Sequence, residues 1–164
     1  DSSQTMIVVA DSGPLHYLIL LEQADLLLSL YGEVVIPEAV VRELSTEEAP
    51  SQVRDWLSVP PSWLAIAAVS DAELAGVSNK LDSGERAAIA LAERMRADVL
   101  LMDERAGRAE ARRRSIRVIG TLGVLRAAAD ARLIDVNELL GRLRATNFYV
   151  DEDLLRTVFD PWMT

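Results

Sequence analysis

Cysteine is absent from this 164-residue chain. That removes disulfides, zinc–thiolate sites and thiol nucleophiles together, and it fits a reducing cytoplasm. Histidine is scarce as well. His16 is the only one, it has no acidic partner near it in sequence, and it reads as structural, so imidazole acid–base chemistry is not expected to be central. Glycines stand at 13, 84, 107, 120 and 123 but form neither G-x-G-x-x-G nor G-x-x-x-x-G-K, which leaves no nucleotide cradle. Long apolar runs are missing too. The longest are strand-length, Met6–Ala10 and Val99–Met102, and the stretch Leu15–Leu30 is broken by His16, Glu22, Gln23, Asp25 and Ser29. No segment is therefore expected to span a bilayer. No basic stretch leads into an apolar one, so no signal peptide is expected. Asp1–Thr5 reads as an added or ragged terminus before a native Met6.

Positive charge is also in short supply. Acids outnumber bases 26 to 17, for a net charge of −9, and Lys80 is the only lysine. Phosphate contacts want cations, so the overall balance argues against a nucleic-acid binder. Bound metal cations and a local arginine patch are the two features that would offset it.

What remains is a globular composition, half apolar, of a length that suits one domain with a real core. Met6–Ala10 is a β-branched apolar run, expected as a buried parallel strand. Pro14 suits the first turn of a helix reaching about Leu21. A second helix is expected over Ala24–Tyr31, a strand at Val34–Ile36, and a helix over Pro37–Leu44. Ser51–Leu57 reads as helix, Leu64–Val69 as strand, and Ser70 with Glu73 as a capping box. Ala87–Met95 is a strong helix signal. Val99–Met102 is the next strand, Arg105–Arg114 a helix, and Val118–Ile119 a short strand. Thr121 is expected to cap the helix Leu122–Ala129. Val136–Ala145 and Glu152–Val158 complete the helices. Strands alternate with helices, which predicts a single α/β domain whose central parallel sheet has right-handed crossovers. Ligands of such sheets sit beyond the carboxyl ends of the strands.

Acidic residues gather at that edge. Asp11 directly follows the first strand and Asp103 directly follows Val99–Met102. Each alone could merely start a turn or cap a helix; together they set two carboxylates on one edge of the sheet. Glu43 falls in the last turn of its helix, where the dipole disfavours a negative charge, although Arg42 beside it also fits a solvated surface. Asp82 and Glu85 form an Asp-x-x-Glu capping box ahead of an apolar helix, and both roles can coexist, with Asp82 as cap and Glu85 as the metal-facing acid. Clustered carboxylates suit hard cations such as Mg2+ and Mn2+, which take oxygen ligands and leave positions to water and phosphate. Phosphodiester hydrolysis is the chemistry that uses such a cluster. Arg105, Arg108 and Arg112 share a helical face that begins just after Asp103. They can grip phosphates, or they can be a solvated face paired with Glu104 and Glu110. Trp56, Trp63 and Trp162 sit near ends and breaks, as packing or partner-contact residues.

The segments VVADSGPL, VIPEAVVREL, LDSGERAAIALA and LLMDERAGRAEARRRSIRVIGTLGVL resemble, in that order, the PIN-domain family, and closely its small prokaryotic branch related to toxin–antitoxin ribonucleases. The resemblance runs from Met6 to about Leu143. It implies a three-layer PIN fold over residues 6–145, with a helical tail over 146–164. It also implies Mg2+ or Mn2+ and endonucleolytic cleavage of RNA. The family's acidic positions fall on Asp11, Glu43 and Asp103. The fourth falls on Glu85, where the family more often has aspartate, so which of Asp82 and Glu85 reaches the metal stays open. The partners expected are RNA, an antitoxin protein and a second copy of the chain. The arginine face is no defining feature of the family.

Other functions remain in competition. One is a PIN-like interaction module with little or no turnover. Another is a response-regulator-like phosphoacceptor, but that wants a lysine late in the sheet, and Lys80 precedes its helix. An Asp-x-Asp phosphatase is disfavoured because residue 13 is glycine.

Overall fold

A computed structural model describes residues 6–148 and 150–163. Residues 1–5, read above as a terminal stretch, lie outside the described residues. Five strands form the sheet: β1 (Val8–Ala10), β2 (Val34–Pro37), β3 (Leu64–Ala67), β4 (Val99–Leu101) and β5 (Val118–Ile119). All pair in parallel, in the order β3-β2-β1-β4-β5. The α/β architecture expected from the alternation of apolar runs is therefore the one observed. β3 is shorter than expected, ending at Ala67 rather than Val69.

The period of two along each strand divides the core. Val8, Ala10, Val34, Ile36, Val99 and Leu101 point into one apolar cluster. Val9, Val35, Leu100, Met102 and Val118 point into the other. Both faces of the sheet are thus covered, which is why these strands read as unbroken apolar runs rather than alternating ones.

The first cluster is closed by α1 (Ser12–Leu20), α2 (Asp25–Tyr31), α3 (Glu38–Leu44), α4 (Ser51–Ser58), α8 (Thr121–Asp130), α9 (Val136–Arg144) and α10 (Glu152–Phe159). The second is closed mainly by α6 (Ser83–Met95) and α7 (Arg105–Arg113), with the short α5 (Asp71–Ala75) packed on α6. Alanines at 87, 88, 90 and 92 are all buried in α6, so the helix lies close on the sheet. The C-terminal α10 joins the first core through Leu155 and Phe159, each no more than 1% exposed. Burying a phenylalanine of this kind contributes about 2–3 kcal/mol. Trp56, Trp63 and Trp162 pack at the margin of the same core, and Arg126 lies over the Trp162 ring at 5.2 Å. Among the described residues no helix is long and apolar enough to cross a membrane.

The strand order fixes where a site can form. From β1 the chain moves outward to β2 and β3, then returns across the sheet to β4 on the other side of β1. β1 and β4 therefore flank a topological switch point, where connections diverge and leave a crevice beyond the carboxyl ends of the strands. Asp11 and Asp103 stand beside that crevice.

Candidate active site

Asp11 leaves β1 as the N-cap residue of α1, and its amide donates to the Leu101 carbonyl at 2.8 Å. That bond extends the β1–β4 ladder by a step and holds the aspartate against the sheet. The residue is 4% exposed. Its side chain makes no cap bond to α1, and Oδ1 is buried with no hydrogen-bond partner among the described residues. A buried acceptor left so is costly, more so when charged. The fold gains nothing from it, which marks the atom for another role.

Two further elements bring oxygens to the same place. Glu43 is exposed as a residue, but its Oε2 accepts a bond from Ser12 Oγ at 2.9 Å, which ties α3 to the start of α1. Asp82 and Glu85 form a reciprocal capping box: Asp82 Oδ1 accepts from the Glu85 amide at 2.8 Å and Glu85 Oε1 accepts from the Asp82 amide at 3.3 Å. Gly84, buried in the first turn of α6, is where these groups meet. A methyl group on its Cα would stand 2.6 Å from Glu43 Oε1 and 3.5 Å from both Asp11 Oδ1 and Asp82 Oδ1. Oxygens from β1, α3 and α6 thus crowd around one glycine, which admits them only because it has no side chain.

The electrostatics follow from that crowding. The Asp11 carboxyl is pushed up to about 7, first by burial, with the Glu43, Asp82 and Glu85 carboxylates adding to it and the Ser12 amide pulling the other way. Glu43 is raised by desolvation and by Asp82, against the Ser12 hydroxyl. Glu85 is raised by desolvation first, then by Asp82, with Glu104 and Glu43 contributing. Like charges held together and away from water disfavour ionisation.

Asp103 sits next to this cluster but is held differently. Its Oδ1 accepts from the Thr121 amide and its Oδ2 from the Thr121 hydroxyl, both at 2.7 Å. Thr121 is fully buried. The expectation that Thr121 caps its own helix is therefore corrected: Gly120 is the N-cap residue, and Thr121 opens α8 with its hydroxyl given to Asp103. The carboxylate itself serves the helix start, where negative charge is favoured. Gly13 separates the two parts of the site, since a methyl there would lie 3.1 Å from Asp103 Oδ2.

The arginine face divides. Arg108 is half-buried, lies against Gly120 beside Asp103, and donates to the Met102 carbonyl at 3.3 Å. Arg105 and Arg112 are exposed. Glu110, expected as a partner for this face, pairs instead with Arg113 and Arg114. Among the described residues none of Arg105, Arg108 and Arg112 is in an ion pair.

Several neighbours were not read as site residues from the sequence: Ser12, Gly84, Gly120, Thr121 and, through its effect on Glu85, Glu104. One signal for two of them was there. The tripeptide Asp-Ser-Gly occurs at 11–13 and again at 82–84, each time opening a helix whose glycine abuts a carboxylate. His16 lies edge-on to Tyr17, with ring centroids 4.7 Å apart, consistent with a packing role.

Among the described residues no three His, Cys, Asp or Glu side chains stand as a ready metal-holding group. The donor set nevertheless fits a hard divalent cation: it is all oxygen, one buried acceptor is unpartnered, and three carboxylates approach one point at Gly84. A family model described as a PIN domain matches residues 7–162. No curated protein matches the chain.

Proposed function

The chain belongs to the PIN-domain family, and from that premise we propose that it is a divalent-metal-dependent endoribonuclease, the toxin of a toxin–antitoxin pair. PIN domains are generally nucleases and typically use divalent metal ions. The observation that carries the finer reading is the buried, unpartnered Asp11 Oδ1 beside the Glu43 and Asp82 oxygens at Gly84.

Asp11, Glu43, Asp82, Glu85 and Asp103 would hold Mg2+ or Mn2+. Such an ion, when bound, lowers the pKa of a water and stabilises the leaving oxygen of a phosphodiester. The chain's own part is to bind and orient. Asp11 is fixed to the sheet and gives up its proton as a cation is taken up, since ligands must be deprotonated. The Glu43 carboxylate sits on an exposed residue, tethered by the Ser12 hydroxyl, so the ligand set would close by rotation of side chains rather than standing preset. Arg108, with Arg105 and Arg112 further along α7, neutralises phosphates on either side of the bond cut. A chain of net charge −9 repels a polyanion at long range, so these local cations and the bound metal supply the attraction.

The test is cleavage of single-stranded RNA by the wild type and by Asp11→Asn, with Mn2+ and with EDTA. Metal-dependent internal cleavage that Asp11→Asn abolishes supports the reading. Cleavage indifferent to both overturns it. The lack of a ready three-donor group favours a second reading, a PIN-like interaction module without turnover, which the same assay would reveal as no cleavage under any condition. Co-purification with the product of an adjoining gene tests the antitoxin partner.

A further inference from the structure

A cavity of about 640 Å3 opens beside Asp103, and Gly84 is not part of its lining. Its volume lies in the range of small-molecule sites, roughly 300–1,000 Å3. One end is polar, formed by Asp103, Glu104 and Arg108, and the rest is apolar and aromatic, with Tyr17, Phe148, Leu154 and Val158 among its walls. Nothing in the catalytic reading uses those four side chains.

The apolar wall is built, not incidental. Tyr17 of α1 and Phe148 pack edge to face with centroids 4.8 Å apart. The Tyr17 hydroxyl donates to Asn147 Oδ1 at 3.0 Å. Thr146 Oγ1 accepts from the Phe148 amide at 3.1 Å and donates to the Leu143 carbonyl at 2.7 Å. Thr146, Asn147 and Phe148 are thereby fastened to α1 and α9. Helix α10 then carries two apolar faces. Leu155 and Phe159 enter the core, while Leu154 and Val158 line the cavity, and Leu154 remains 47% exposed. The core does not require an apolar residue at 154.

We propose that this cavity receives one unpaired nucleobase of an RNA strand whose adjacent phosphate lies against Arg108. The inference rests on the nuclease reading for the direction of the strand. The lining selects this occupant: its one cation, Arg108, stands at the polar end beside the Asp103 and Glu104 carboxylates, and the aromatic pair Tyr17 and Phe148 forms the wall. The cavity closes on an arginine that has no ion pair among the described residues, at the edge of the proposed cleavage centre. A nucleotide matches both ends at once, with an anion for Arg108 and a flat π-system for the aromatic wall. Single-stranded RNA is characteristically held by bases splayed out onto aromatic side chains. Gly13, Gly120 and Gly123 also line the cavity, with the Asp103, Arg108 and Ile119 side chains packed close over them. Phe148 and Val150, with Leu154 and Val158 of α10, thus serve as one wall of a substrate subsite.

The experiment is a methyl NMR titration of the protein in millimolar Mg2+, with millimolar nucleoside 5′-monophosphate as probe and ribose 5-phosphate as the control lacking a base. The nucleotide should shift the methyls of Leu122, Leu154 and Val158, and ribose 5-phosphate should not. Phe148→Ala should weaken nucleotide binding about five-fold or more, the scale of one lost stacking contact. Leu154→Ser, at an exposed position that does not threaten the fold, should weaken it in the same direction. The same variants should raise KM for RNA more than they lower kcat. Nucleotide-driven shifts without RNA cleavage would end the nuclease reading and keep the subsite. Cavity methyls unmoved by nucleotide, whether or not RNA is cleaved, would overturn the subsite. So would shifts produced only by an apolar peptide.

Discussion

Thr121 grips Asp103 at both oxygens, through its amide and its hydroxyl, each at 2.7 Å. The pairing spans 18 residues and links the end of β4 to the start of α8. It orients the Asp103 carboxylate beside Arg108.

Thr121→Val keeps the shape and the amide bond but removes the hydroxyl. Because the lost bond is to a charged group that is only half-buried, we expect a loss of about 1–2 kcal/mol. A lowered urea midpoint at unchanged slope would register it. Cleavage should fall as well, since Asp103 can then turn. Full stability with full activity would mean that the hydroxyl does nothing for the site.

Gly84→Ala separates fold from function. Alanine favours helix over glycine by up to about 1 kcal/mol, and the only contact under 3 Å is with Glu43 Oε1, the far end of an exposed side chain. Thermal stability in EDTA should therefore hold or rise slightly. The methyl would evict the Glu43 carboxylate from the cluster, so Mn2+ affinity and RNA cleavage should both drop at least ten-fold. Unchanged Mn2+ affinity would show that the oxygens at Gly84 do not serve the metal.

Asp82 has two duties in the capping box and at Gly84, and two substitutions divide them. Asp82→Ser retains a good N-cap, so stability should stay within a few tenths of a kcal/mol, whereas Asp82→Ala should cost about 1 kcal/mol. Both remove the carboxylate and should weaken Mn2+ binding equally. If only the alanine variant binds Mn2+ more weakly, Asp82 acts through the helix alone.

The Asp11 carboxyl rises from 3.8 to about 7 in the folded chain. Between those values the native state binds more protons than the unfolded state, so this group's contribution to stability is full at low pH and is lost as pH rises through about 7. Glu43 and Glu85 are raised too and act in the same direction. Asp11→Asn removes the largest part. In EDTA, the mutant should therefore gain on the wild type by a few kcal/mol, in order of magnitude, as pH rises from about 5 to about 8. Parallel stability profiles would contradict the burial and crowding of Asp11.

Much of the fold was legible because local patterns and tertiary packing agree. MIVVA and VLLM are strand-length apolar runs, and both proved to be central parallel strands. The Ser70–Glu73 and Asp82–Glu85 boxes formed as their spacing implied. Contacts that depend on strand order were not legible. Periodicity does not say that β4 lies next to β1, so it could not show Thr121 reaching Asp103 or three carboxylates meeting at Gly84. The arginine helix illustrates the limit. Helical spacing grouped Arg105, Arg108 and Arg112, but only the approach of Arg108 to Gly120 and the Met102 carbonyl distinguishes it, half-buried, from its two exposed neighbours. Which acids would hold a metal likewise depends on side-chain rotation, which no spacing encodes.

The central claim is that divalent metal binds at Asp11, and calorimetric titration of the metal-free protein with Mn2+ at about pH 7.5 tests it most directly. The account predicts a saturable site whose filling releases protons, because Asp11 is partly protonated beforehand, and raises the unfolding midpoint. Asp11→Asn should abolish the site while leaving the fold intact. A titration with no saturable heat and no shift in midpoint, or one identical in wild type and Asp11→Asn, would contradict it.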